Sequence, residues 1–106
     1  MSVIERIEDQ IKNNPVVLYM KGTPDFPQCG FSGQTVQLLD ACGAEYKAVN
    51  IFEDPELREA LKTYSSWPTY PQLYVNGELV GGCDIVIDLY KKGELKPLLA
   101  SVGAAG

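Results

Sequence analysis

The sequence predicts an α/β protein with a four-stranded mixed sheet flanked by helices on both faces. Three observations predict it. Apolar residues recur at helical spacing (Val3, Ile4, Ile7, Ile11) and then run together in Val16–Met20, which has the length and β-branched content of a buried strand. Helical and strand-like segments continue to alternate as α, β, α, β, α, and the first two strands, separated by a helix, should pair in parallel through a right-handed crossover. Asn76-Gly77 then stands between two more short strand-like runs and marks a hairpin, adding two antiparallel strands.

The first helix is expected over residues 2–12, and Asn13-Asn14-Pro15 ends it because the residue before a proline resists helical geometry. Strand Val16–Met20 stops at Lys21-Gly22 and gives way to a loop, Thr23 to Gln28, punctuated by Pro24 and Pro27. That loop delivers Cys29-Gly30-Phe31-Ser32 to a helix read over Gly33–Ala41. Val36, Leu38, Leu39 and Cys42 form its apolar side, and Cys42-Gly43 marks its C-terminal cap. Alternation from Tyr46 to Glu53 suits a second strand in a mostly buried sheet. Asp54-Pro55-Glu56 starts a helix with a capping aspartate and a proline at the first helical position. Leu57, Leu61 and Tyr64 give that helix its buried side, through about Ser65. Ser66-Trp67-Pro68-Thr69-Tyr70-Pro71 leads into strand Gln72–Val75, and the hairpin returns through Glu78–Gly81. Gly81-Gly82 turns the chain tightly into Cys83-Asp84, which open a helix over Ile85–Lys91. Gly93 breaks that helix, and a short one, Glu94–Ala100, precedes a small-residue tail expected to fray from about residue 101.

A length of 106 residues suits one domain with a modest core, spanning 1–106. The net charge of −5 argues against general affinity for nucleic acid or anionic membrane. No apolar run is long enough to span a bilayer, and the N-terminus carries acids too early for a signal or transit peptide. A reducing cytosol is the expected location, although a mature organellar form trimmed of its leader would read the same. The 3 cysteines (Cys29, Cys42, Cys83) are irregularly spaced and histidine is absent. This pattern is no disulfide framework, and it removes Cys–His nucleophilic catalysis and most zinc sites.

The chemistry centres on Cys29. A cysteine at a helix N-terminus faces unpaired backbone N–H groups and the positive end of the helix dipole, and both favour the thiolate. Lys21, at the exit of the adjoining strand, adds a positive charge beside it. Cys42 reads as a core residue, Cys83 as structural rather than a resolving thiol, and Trp67 as packing under the proline turn.

Four separated motifs carry a resemblance: Lys21-Gly22-Thr23, Cys29-Gly30-Phe31-Ser32, Trp67-Pro68-Thr69-Tyr70-Pro71-Gln72 and Gly81-Gly82-Cys83-Asp84. In this order, and with the extra loop before the cysteine, the chain from Asn14 to about Leu99 resembles the monothiol (CGFS-type) glutaredoxins. The resemblance implies a thioredoxin-like fold and a glutathione- and cofactor-binding set of Lys21, Cys29, Phe31, Arg58, Tyr70, Pro71, Cys83 and Asp84. Within it, Lys21 contacts glutathione, Arg58 holds one of its carboxylates and the Tyr70-Pro71 bond is cis, with the Tyr70 backbone pairing with the cysteinyl part of the tripeptide. The helix start at Cys83-Asp84 takes the γ-glutamyl end, with Asp84 also free to cap that helix. Cys29 is implied as both catalytic thiol and metal ligand.

Two functions fit. In one, Cys29 ligates a 2Fe–2S cluster that needs four thiolates, so two chains and two glutathiones share it, and the protein assembles, stores and passes on clusters. In the other, Cys29 attacks a glutathionylated protein and a second glutathione frees it, making a glutathione-dependent oxidoreductase; Ser32 stands at the resolving position and forms no disulfide. The resemblance favours the carrier, with at most weak reductase activity. It also implies a cluster-bridged homodimer, a mixed complex with a BolA-type protein that supplies histidine, and apo iron–sulfur proteins as recipients. A thioredoxin-fold adaptor with an inert cysteine is a third reading, which would leave Lys21, Arg58 and Asp84 without a shared purpose.

Overall fold

The computed structural model describes residues 1–105; Gly106, the last residue of the expected flexible tail, lies outside the described residues. In chain order the elements are α1 (Val3–Asn13), β1 (Val16–Met20), α2 (Gly30–Ala41), β2 (Lys47–Asn50), α3 (Pro55–Ser65), β3 (Gln72–Val75), β4 (Glu78–Gly81), α4 (Cys83–Lys91) and α5 (Leu95–Ala100). The strands form one sheet in the order β2-β1-β3-β4, with β1 parallel to β2 and antiparallel to β3, and β3 antiparallel to β4. This is the mixed thioredoxin-like sheet that the motifs imply.

All five side chains of β1 are buried, because a central strand covered on both faces feeds two cores at once. Val16, Leu18 and Met20 pack with Val36 and Leu39 of α2, Val86 of α4, and Leu95 and Leu99 of α5. Val17 and Tyr19 pack on the other face with Ile7 and Ile11 of α1 and Leu57 and Leu61 of α3. Truncating any of these fully buried leucines to alanine would cost about 2–5 kcal/mol, so the two cores hold the strand ends that carry the site.

Local chemistry sets the boundaries. Ser2 caps α1 through a reciprocal box: its Oγ accepts the Glu5 N–H at 3.2 Å, and the Glu5 carboxylate accepts the Ser2 N–H at 3.3 Å. Ile4, expected on the buried face, is 37% exposed. β2 is shorter than the alternation suggested. Asn50 caps a 3-10 turn, Ile51–Glu53, by accepting the Phe52 N–H at 3.0 Å, and this ends the ladder. Asp54 caps α3 as expected, accepting the Leu57 N–H at 3.1 Å, and the Arg6 guanidinium bonds its other oxygen at 2.6 Å, tying α1 to α3. Tyr64 is exposed rather than buried, one turn beyond Leu61. In the hairpin, Asn76 (φ 53°) and Gly77 (φ 80°) both take the left-handed conformation that a tight two-residue turn requires.

The chain end departs from expectation. Ala104 is buried, its N–H donates to the Leu99 carbonyl at 3.0 Å, and its own carbonyl accepts the Glu45 N–H at 2.7 Å. The segment expected to fray from about residue 101 is therefore docked through Ala104 beside the start of β2, because small side chains let the backbone approach closely enough to bond.

Candidate functional site

Four chain segments meet where β1 ends: Lys21, the N-terminus of α2, the loop before β3, and the N-terminus of α4. Between them lies a cleft of about 380 Å³ lined by Lys21, Cys29, Phe31, Trp67, Thr69, Tyr70, Pro71, Gly82, Cys83, Asp84 and Ile85. Seven of the eight residues singled out from the sequence line it together.

Lys21 is fixed by its backbone. Its N–H donates to Ser32 Oγ at 3.1 Å, and its carbonyl accepts the Gln28 N–H at 2.9 Å. The next residue, Gly22, has φ 91°, and a Cβ there would stand 2.5 Å from the Phe26 carbonyl oxygen and 2.7 Å from the Gln28 nitrogen. Only glycine lets the loop fold back this closely, with Thr23 and Phe26 closing it by paired backbone bonds at 3.3 and 3.1 Å.

Cys29 is the N-cap of α2, which begins at Gly30, three residues earlier than the sequence suggested. The sulfur thus sits at the very end of the helix. Its thiol makes no cap hydrogen bond, yet the amides favour its ionised form. The Ser32 N–H holds the Cys29 thiol below its ordinary range; partial desolvation opposes this, while the Phe31 N–H, Lys21 and the Ser32 hydroxyl lower it further. Ser32 is fully buried, so the position where a second cysteine would face Cys29 instead secures Lys21. Phe31 stands at the rim, 60% exposed.

The Tyr70-Pro71 bond is cis. Gln72, fully buried, shapes the loop ahead of it by donating from Nε2 to the carbonyls of Trp67 (3.0 Å) and Thr69 (3.2 Å). Burial pushes the Tyr70 phenol up to about 12, so it remains a donor at neutral pH, and its hydroxyl bonds the Arg58 carbonyl at 2.6 Å. Arg58 itself does not line the cleft. Its guanidinium lies over the Phe52 ring, 5.4 Å from the centroid, with Nε buried and unpaired.

At α4 the N-cap is Gly82, and among the described residues no side chain caps the helix. Asp84 therefore stands exposed in the first turn rather than serving as the cap, and the open amides suit an anion. Space at Gly82 is tight: a Cβ would come 3.2 Å from Trp67 Nε1 and 3.3 Å from the Pro71 carbonyl, so those neighbours would have to give by a few tenths of an ångström. The Cys83 thiol is buried and faces Gln34 Oε1 of α2 at 3.8 Å, while Cys42 is buried in the core, where burial raises its thiol. All three cysteines are free.

Sequence reasoning passed over Gln72 and Asn50 as structural agents. A glutamine just after an X-Pro pair and an asparagine at a strand end are both signals of backbone capping, but neither says which carbonyl or amide it meets.

A family model described as glutaredoxin matches residues 16–80. The chain is 53% identical over 103 residues to "Glutaredoxin 4" of Escherichia coli (strain K12), covering 97% of this chain and 90% of that protein. The solution structure of reduced poplar apo GrxS14 superposes with a TM-score of 0.82 at 48% identity, covering 95% of this chain and 93% of that one. The crystal structure of a buckwheat glutaredoxin–glutathione complex gives 0.87 at 25% identity, covering 98% and 93% respectively.

Proposed function

The chain belongs to the glutaredoxin family, in its monothiol CGFS branch, and we propose that it binds glutathione in the cleft and carries a 2Fe–2S cluster as cargo between apoproteins. The observation that carries this reading is a single thiol, biased toward thiolate, in a cleft where no second thiol is free to answer it: Ser32 is committed to Lys21, and Cys83 is buried against Gln34. Among the described residues no group of three or more His, Cys, Asp or Glu side chains could hold a metal by itself, and in this reading the chain contributes Cys29. The remaining thiolates come, in this reading, from two glutathiones and the Cys29 of a second protomer.

Lys21 and Arg58 are proposed to take the tripeptide's glycyl carboxylate. The backbone of Tyr70 beside cis-Pro71 aligns its cysteinyl part, and the α4 amides with Asp84 take the γ-glutamyl carboxylate and ammonium. A buckwheat glutaredoxin of the same fold was solved in complex with glutathione, which supports glutathione as the ligand in this reading. A partner of the BolA type would donate the histidine this chain lacks, displacing one protomer with its glutathione. The reading requires Cys29 to stay reduced, which a cytosolic compartment provides.

The test is anaerobic reconstitution with iron and sulfide, with and without glutathione, followed by visible absorption and sizing. A brown, glutathione-dependent dimer that Cys29→Ser abolishes is expected. A colourless protein with glutathione present would refute the carrier. The accessible thiolate also suits the reductase reading. There the Cys29 thiolate attacks the glutathione sulfur of a glutathionylated protein, whose own thiolate leaves. A second glutathione thiolate then attacks the mixed disulfide and releases oxidised glutathione with Cys29 restored. Rapid turnover of such a substrate by the colourless protein would favour it.

A further inference from the structure

Asn50 lies outside the cleft lining, yet its side chain joins two of the segments that build the site. Its Oδ1 accepts two backbone N–H groups at once, Gly22 at 3.0 Å and Phe52 at 3.0 Å. Only an oxygen can serve two donors, so the orientation of the carboxamide is fixed by chemistry. Gly22 follows Lys21 directly, at the point where the chain turns through φ 91°. Phe52 is the ring on which the Arg58 guanidinium rests, 5.4 Å from the centroid. One carboxamide oxygen therefore spans the exit of β1, which carries one cation, and the turn after β2, which supports the other.

The other bonds around the two cations tie each of them to a different segment. Lys21 is held by Ser32 Oγ on its N–H and by the Gln28 N–H on its carbonyl. Arg58 is held at its backbone by the Tyr70 hydroxyl. Those bonds tie Lys21 to the start of α2 and Arg58 to the loop before β3, whereas Asn50, paired with Met20 at the end of the β1–β2 ladder, joins the exit of β1 to the turn under Arg58. The contact with Gly22 is part-buried, so without the oxygen that amide loses its acceptor where water is a poor substitute, while the Phe52 amide stands exposed.

We propose that Asn50 is a positioning residue that sets the spacing between Lys21 and Arg58, and so determines the preference of the site for a thiol carrying a carboxylate at that distance over one that lacks it. This rests on the glutathione reading of the cleft, and the experiment separates the two. The reduced protein is equilibrated with either oxidised glutathione or bis(2-hydroxyethyl) disulfide. In each case the Cys29 thiolate attacks one sulfur, the S–S bond breaks, and the other half leaves as a thiolate; the mixed disulfide on Cys29 is measured by mass spectrometry. The ratio of the two equilibrium constants is the readout, because a general loss of stability or of thiolate character moves both constants together.

Wild type should favour glutathione. Asn50→Ala should cut that preference roughly five- to tenfold, the equivalent of losing about one net hydrogen bond. Asn50→Asp keeps both acceptor contacts but adds a negative charge near the two cations, so it should recover stability while its preference stays below that of wild type. Asn50→Gln places its oxygen one methylene farther out and should behave like alanine, so it carries the test if the alanine variant does not fold. An unchanged ratio in both the alanine and glutamine variants overturns the role of Asn50. A wild type with no preference for glutathione instead overturns the site reading on which it stands.

Discussion

Replacing Ser32 with alanine separates two roles that meet at one residue. The hydroxyl is fully buried and accepts the Lys21 N–H at 3.1 Å, so its loss leaves that amide without an acceptor. An unsatisfied buried donor costs about 1–3 kcal/mol, which for a domain of this size lowers the melting temperature by roughly 5–20 °C. The thiol of Cys29 should respond far less. Its chief stabiliser is the Ser32 backbone N–H, which alanine retains, and the hydroxyl is the weakest of the contributions. The assay is paired: thermal melts for stability, and the pH dependence of Cys29 alkylation, read by mass spectrometry, for the thiol. The expected result is a clear fall in stability with a small rise in thiol pKa. If instead stability holds and the thiol returns to the ordinary cysteine range, the hydroxyl controls the sulfur, and the role assigned to the helix amide fails.

Four further outcomes follow from the same geometry. Because the Cys29 thiol is lowered in the fold, its thiolate stabilises the protein above the range of an unfolded thiol, and that contribution fades as pH falls through the lowered value. Melts of wild type and Cys29→Ser should therefore diverge with rising alkaline pH and converge in acid. The Asp54 carboxyl is held low chiefly by its hydrogen bond from Arg6, then by the Leu57 N–H, so Asp54→Ala should lose about 0.5–2 kcal/mol at neutral pH. That deficit should close as pH drops through the lowered carboxyl value, which urea melts would follow. Gly22→Ala should cost more than about 1 kcal/mol through its positive φ alone, and hydrogen exchange should show the Gln28 amide losing protection as the loop is forced off Lys21. Lys21→Ala and Arg58→Ala should each weaken glutathione roughly ten- to hundredfold, the loss of a charge-assisted contact of about 1.5–3 kcal/mol, as mixed-disulfide equilibria would reveal.

Much of this molecule is written in local pattern. The apolar run Val16–Met20, the capping Asp54-Pro55, the Asn76-Gly77 turn and the cysteine before a helix each depend on neighbours a few residues away, so spacing alone placed them. The resemblance carried by the motifs from Lys21 to Asp84, rather than spacing, named most of the cleft, and those residues do sit at strand and helix ends that the fold brings together. The tertiary structure decided what depends on distant partners. Asn50 ended β2 early by committing its oxygen to Gly22 and Phe52, and Ser32 turned from a silent replacement into the anchor of Lys21. Arg58 came to rest on Phe52 beside the cleft, and the small-residue tail docked through the Glu45 amide. Which polar group or ring each of these meets is fixed by how the layers pack, not by the order of residues along the chain, and for Arg58 that packing leaves Nε buried and unpaired.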